Sequence, residues 1–145
     1  MRRASLRGPL LRAAAMLALL FSAPALAGSE LIIANRSVPA SSLELSVVRE
    51  IFLGKKSLWD NGEPVVLVAL KRGATHEAFL QKVLARTAAQ FTNVWKQAIF
   101  TGTGVPPKAF ETEADVVRYV ASTKGAIGYV EAATPHDTVK VIELR

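Results

Sequence analysis

The sequence contains no cysteine. Disulfides, thiolate metal sites and a thiol nucleophile are thereby excluded, and the fold must hold by packing. Histidine is scarce as well. His76 and His136 are the only two, and neither has a carboxylate at helical spacing to complete a ligand set, so no metal site is expected. There is no nucleophile elbow around any serine, and Glu77, next to His76, faces another side of a helix, so enzymatic chemistry is not expected. The loop Thr101–Pro107 carries Gly102 and Gly104 but lacks the lysine and hydroxyl pattern of a nucleotide cradle, and it reads as a connector; no cofactor is implied. No internal repeat or low-complexity tract is visible, and no apolar run reaches the roughly 20 residues that span a bilayer.

What is present begins with a leader pattern. Arg2, Arg3, Arg7 and Arg12 come with no acid among them, an apolar run from Ala13 to Phe21 follows, and Ala25-Leu26-Ala27 supplies a small-residue cleavage site. Residues 1–27 are therefore expected to be a signal peptide, by the general secretory route, and 28–145 a single exported domain working in the periplasm or outside the cell. The chain's formal charge is +6. Four of its eighteen basic residues lie in the leader, leaving fourteen against twelve acids, a balance of +2. With no basic stripe interleaved with aromatics in the remainder, nucleic acid is not an expected partner.

Periodicity in the remainder alternates between strand and helix. Leu31–Ala34 is a short buried strand that ends at Asn35-Arg36-Ser37 and Pro39. Ser41 with Glu44 fits a capping box, and Leu45, Val48 and Phe52 share a face, which predicts a helix over 43–53 stopped by Gly54. Asp60-Asn61-Gly62 is a turn, and the continuous apolar run Val65–Leu70 reads as a central strand covered on both faces. Thr75 caps a helix carrying Phe79, Leu80, Val83 and Leu84, and a second helical stretch carries Phe91, Val94, Trp95, Ala98 and Ile99. Thr112 with Asp115 opens a further helix, Gly125–Val130 is a buried strand, and Val139–Leu144 alternates as a last strand. Trp59 and Trp95 read as core. The alternation predicts an α/β domain with a largely parallel sheet flanked by helices.

Three stretches carry a resemblance: Ile51-Phe52-Leu53-Gly54-Lys55 with Trp59, Trp95 with Phe100-Thr101-Gly102, and Gly125-Ala126-Ile127-Gly128-Tyr129. Together they resemble the periplasmic phosphate-binding proteins of ABC importers, and more closely the short, single-domain members of that superfamily. The resemblance implies a single lobe of a type II periplasmic-binding-protein-like fold, and recognition of phosphate or another small oxyanion for transport or sensing. In the full-length family a Ser-Gly-Thr loop at a helix start wraps phosphate beside an arginine. The corresponding place here is Gly73-Ala74-Thr75, with Arg72 adjacent; Gly73 stands for the serine and Ala74 for the glycine.

The candidate anion-binding set is accordingly Arg72, Gly73, Thr75 and His76 at a helix start, with Asn35 and Ser37 as donors after the first strand. An ordinary helix cap with solvated side chains is the competing account of the first group. On the ligand-binding reading the partners are a small oxyanion and an ABC permease or a sensor ectodomain, and two copies face to face would supply a second lobe. The alternative is a single-lobe adaptor that binds another envelope protein and no small ligand. A ligand site demands donors converging around Thr75 and Asn35, whereas an adaptor demands an exposed apolar patch.

Overall fold

A computed structural model describes residues 29–145; the expected signal peptide, 1–27, lies outside them. Six strands form one sheet: β1 (Glu30–Ala34), β2 (Ser42–Leu43), β3 (Val66–Leu70), β4 (Lys108–Phe110), β5 (Ala126–Glu131) and β6 (Lys140–Leu144), in the order β2-β6-β1-β5-β3-β4. The helices are α1 (Leu45–Phe52), α2 (Ala74–Phe79), continued by a π-helical turn over Leu80–Leu84, α3 (Ala88–Thr101) and α4 (Glu113–Ser122). Each of the four long strand predictions and each helical stretch is present, with ends displaced by a residue or two.

The sheet is mixed. β3 runs parallel to β4 and β5, and β2 parallel to β6, but β1 is antiparallel to both its neighbours, pairing Ile32 with Tyr129 on β5 and with Ile142 on β6. An apolar run such as Leu31–Ala34 shows that a strand is covered on both faces, and it carries no information on direction. That reversal places the carboxyl end of β1 at the opposite end of the sheet from the carboxyl end of β3. Ala34 lies opposite Ile127, which also pairs with Leu67 near the start of β3.

Helices cover both faces. Phe52 of α1 and Phe79 of α2 meet Tyr129 on one side, and Val116 of α4 closes on Gly128 on the other. Apolar residues of every layer, among them Ile33, Val48, Phe79, Val116 and Ile127, are fully buried in one continuous core. The starts of α3 and α4 carry side-chain caps, whereas the cap expected at Thr75 is not formed, because α2 begins one residue earlier with Gly73 at the cap position and the Thr75 hydroxyl turned to Glu113. Thr87 and Gln90 form a reciprocal capping box on α3, and the Thr112 hydroxyl accepts from the Asp115 N–H on α4. The expected Ser41–Glu44 box is not formed. Glu44 itself occupies the cap position of α1 without a side-chain bond, because Ser42–Leu43 is drawn into the sheet edge beside β6.

Gly125 opens β5 in a left-handed conformation (φ 76°), with the position a Cβ would take pressed onto the Pro64 carbonyl. Its own carbonyl accepts from the Trp59 indole N–H at 3.0 Å, so the loop after α1, the start of β3 and the start of β5 meet at one glycine. Gly125→Ala is therefore expected to destabilise the protein by about 2 kcal/mol or more, the left-handed penalty plus displacement of Pro64. Urea unfolding followed by tryptophan fluorescence measures it.

Candidate functional site

The turn from β3 into α2 carries four of the six candidate residues. Arg72 is exposed, and its guanidinium donates to Glu111 Oε1 at 3.1 Å, with Lys71 Nζ 3.4 Å from the same oxygen. The Lys71 hydrogen bond above all, and then the Arg72 charge, hold the Glu111 carboxyl below the usual carboxylate range. Gly73 (φ 108°) is the N-cap of α2. Thr75 Oγ1 donates to Glu113 Oε2 at 3.3 Å, and the other oxygen of that carboxylate accepts the backbone N–H of Glu131. The positive end of this turn is thus already faced by two carboxylates of the chain itself, Glu111 on the arginine and Glu113 on the threonine.

His76 is buried and points away from the turn into the core. Its Nδ1 lies 2.5 Å from the Tyr129 hydroxyl, which also accepts the Leu70 N–H at 3.1 Å. With that lone pair in use, the arrangement that strands no proton has the phenol donating to an unprotonated Nδ1. Burial lowers the His76 pKa from its ordinary 6.5, opposed by the Glu77 charge, and burial raises that of Tyr129. The Tyr129 ring stacks on Phe79 at 3.9 Å between centroids, and the His76 ring meets Phe91 edge-on at 6.0 Å. Lys71 and Lys96 line the shallow depression into which His76 opens.

Asn35 and Ser37 sit at the other end of the sheet. The Asn35 amide donates to the carbonyls of Val120 and Ala121 at 2.8 and 3.0 Å, closing the last turn of α4, and its Oδ1 accepts the Ser37 N–H. The Ser37 hydroxyl accepts the Gly125 N–H at 3.1 Å. The donors around Thr75 and those around Asn35 do not converge, because β1 is antiparallel to β5.

Two depressions lie beside α3, and of the candidate set only His76 lines one of them, the smaller. The larger, about 530 Å³, lies over the starts of β3 and β4, with Leu58, Val65, Val66, Val105 and Pro106 in its walls and Trp95 in its floor. The other, about 300 Å³, is shared by Leu70, Phe91, Trp95 and Ile99. The indole of Trp95 donates to the Phe52 carbonyl at 3.1 Å, and Gly54 (φ 78°) passes so close that its Cβ would lie 3.0 Å from the ring. Apolar side chains lining these depressions are open, Leu58 at 51 %, Ile99 at 53 % and Val105 at 85 %, and Phe100, next to Ile99 in the chain, is 92 % exposed. The signal in the sequence was the placing of Phe100 and Val105 beside the glycines of the Thr101–Pro107 loop, where no helical periodicity demands an apolar side chain.

No protein-family model matches the sequence, and no curated protein matches it. Solved structures do match the fold. A phosphate ABC transporter substrate-binding protein with bound phosphate from Clostridium perfringens superposes with a TM-score of 0.64 at 19 % identity, over 81 % of this chain and 44 % of that one. An ABC-type phosphate transport receptor from Vibrio cholerae gives 0.61 at 12 % identity, over 81 % and 46 %. PstS from Borrelia burgdorferi gives 0.63 at 8 %, over 81 % and 47 %. The described residues therefore have the fold of part of a phosphate receptor, and the chain spans less than half the length of each of these proteins. The expected single lobe of a periplasmic-binding-protein-like fold is what the comparison supports.

The buried imidazole generates a pH prediction. A histidine whose folded pKa lies below its unfolded value stabilises the fold while neutral, and that stability is lost as pH falls below about 6.5. Unfolding free energy is expected to drop between about pH 7.5 and 5.5, and the drop to shrink in His76→Gln, as judged by urea titration at both pH values. Tyr129→Phe leaves the Leu70 N–H without its acceptor and should cost about 1–3 kcal/mol in the same assay.

Proposed function

We propose that this chain is an exported, non-enzymatic binding module with the fold of one phosphate-receptor lobe, and that it acts as an adaptor for another envelope protein. The observation that carries the reading is the occupation of the turn at the start of α2 by the chain's own carboxylates. Thr75 is engaged by Glu113, and Arg72 with Lys71 by Glu111, so a phosphate approaching there meets two negative charges set against the two cations. The Asn35 amide is spent on the α4 terminus, and Ser37, whose hydroxyl accepts the Gly125 N–H, lies with it at the other end of the sheet. Against this internally neutralised turn stands a surface of exposed apolar side chains at the end of α3, a feature that marks interaction sites. A sensor ectodomain or a transporter's permease is the class of partner such an adaptor serves in the periplasm, following cleavage after Ala27.

A second reading, recognition of phosphate or a similar oxyanion through Arg72, Gly73 and Thr75, is favoured by one observation: every structure compared above is a phosphate receptor, one of them with phosphate bound. Calorimetric titration separates the two. On the adaptor reading phosphate and sulfate give no saturable heat with the purified protein, whereas Glu111→Gln with Glu113→Gln, which removes the competing carboxylates, gains weak binding that Arg72→Ala abolishes. Saturable heat in the unaltered protein, lost in Arg72→Ala, overturns the adaptor reading in favour of the receptor. Export is checked by the intact mass of the secreted product, which is expected to begin at Gly28.

A further inference from the structure

The two depressions beside α3 differ from the Arg72 turn in the balance of their charges. The larger is bordered by Lys56 and Lys108, the smaller by Lys71 and Lys96, and no aspartate or glutamate lines either. Lys56 is paired with Asp60 and Lys71 with Glu111. Lys96 and Lys108 are exposed and have no ion-pair partner among the described residues. The balance from residue 28 onward is only slightly positive, so two lysines without an ion-pair partner beside one apolar surface, Lys96 and Lys108, are a local excess of positive charge.

Shape narrows the occupant. The larger depression, about 530 Å³, has the size of a pocket that takes several apolar groups. Leu58 and Val105 stand in its walls, Ile99 lines the smaller depression, and Phe100 follows Ile99 in the last turn of α3. A small ligand seated in the groove would leave Phe100 and the outer side of Val105 in water, so covering this surface takes a macromolecule. A flat lipid surface meets ridges but does not reach the Trp95 floor, whereas a side chain projecting from a partner does. Strand addition is blocked on the approach to the edge strand β4, because Pro106 and Pro107 have no N–H to offer.

We infer that this face docks an acidic, amphipathic segment of a partner protein, whose branched or aromatic side chains enter the groove over Trp95 while its carboxylates meet Lys96 and Lys108. The inference rests on the adaptor reading and names the partner's chemistry. Recognition is by side-chain insertion, with the apolar anchors supplying most of the affinity and the lysines supplying orientation and selectivity against basic segments.

Selection of a random displayed-peptide library on the purified protein tests it. Enriched peptides are expected to combine Asp or Glu with Leu, Ile, Phe or Trp, and to quench or shift the Trp95 emission on binding. Val105→Asp, and Lys96→Glu combined with Lys108→Glu, should each weaken them at least roughly tenfold by fluorescence anisotropy. All three side chains are exposed, so thermal unfolding of the variants should match that of the parent protein. Enrichment of neutral or basic peptides, or of acidic peptides that bind both variants unchanged, overturns the assignment of this face and leaves the adaptor reading in place. Co-sedimentation with phosphatidylglycerol vesicles, or a concentration-dependent dimer, overturns it too when abolished by Val105→Asp, because the occupant is then a membrane or a second copy. Failure to enrich any peptide, together with saturable phosphate binding, overturns the adaptor reading beneath it.

Discussion

A single buried hydroxyl organises the centre of this domain. Tyr129 lies fully inside the core, where a phenol without partners is costly, and its oxygen is satisfied by the Leu70 N–H on one side and the His76 ring on the other. Those two bonds tie the end of β3 and the first turn of α2 to the middle of β5. Tyr129 also stacks on Phe79, and Phe79 meets Phe52 edge-on at 5.0 Å, so the same side chain sets the distance between the sheet and the helices above it. The turn that carries Arg72 and Thr75 lies directly between Leu70 and His76. Its position is fixed from beneath by a hydrogen bond that takes His76 away from the surface.

The residues that carried the resemblance turn out to be held together by the two indoles. Trp59 reaches Gly125 and Trp95 reaches Phe52, each through its N–H to a backbone carbonyl, and Gly54 lies against the face of Trp95. These motifs are therefore packing devices that bring the end of α1, the end of α3 and the start of β5 to one side of the sheet. A shared fold at identities of 8–19 % does not by itself imply a shared ligand. On the surface around them, carboxylates meet the turn at the start of α2, and apolar side chains with lysines open beside Trp95.

The linear order of elements was legible because it depends on local rules. Helical spacing at Leu45, Val48 and Phe52 and at Phe91, Trp95 and Ala98, the Thr112–Asp115 cap and the β-branched run before Leu70 each act within a few residues, and each produced the expected element. Strand direction was not legible, since Leu31–Ala34 is buried whichever way it runs. The same limit applied to the site. Arg72, Gly73 and Thr75 are adjacent in sequence and remain adjacent in space, but Glu111 and Glu113 reach them from about 38 positions away, through β4 and the start of α4.

The sequence by itself determined that this is a cysteine-free α/β chain held by packing, with a leader-like start, because composition, periodicity and capping are properties of neighbouring residues. Tertiary structure alone decided which candidates could act together. It placed Asn35 and Ser37 at the far end of the sheet by reversing β1, withdrew His76 into the core to satisfy Tyr129, and set Glu111 and Glu113 against the turn that carries Arg72 and Thr75. It also gathered Lys56, Lys71, Lys96 and Lys108 around one exposed apolar surface. Each of these depends on pairing residues distant in the chain, and the energy that selects such pairs, burial of the whole core at once, is not written in any local stretch.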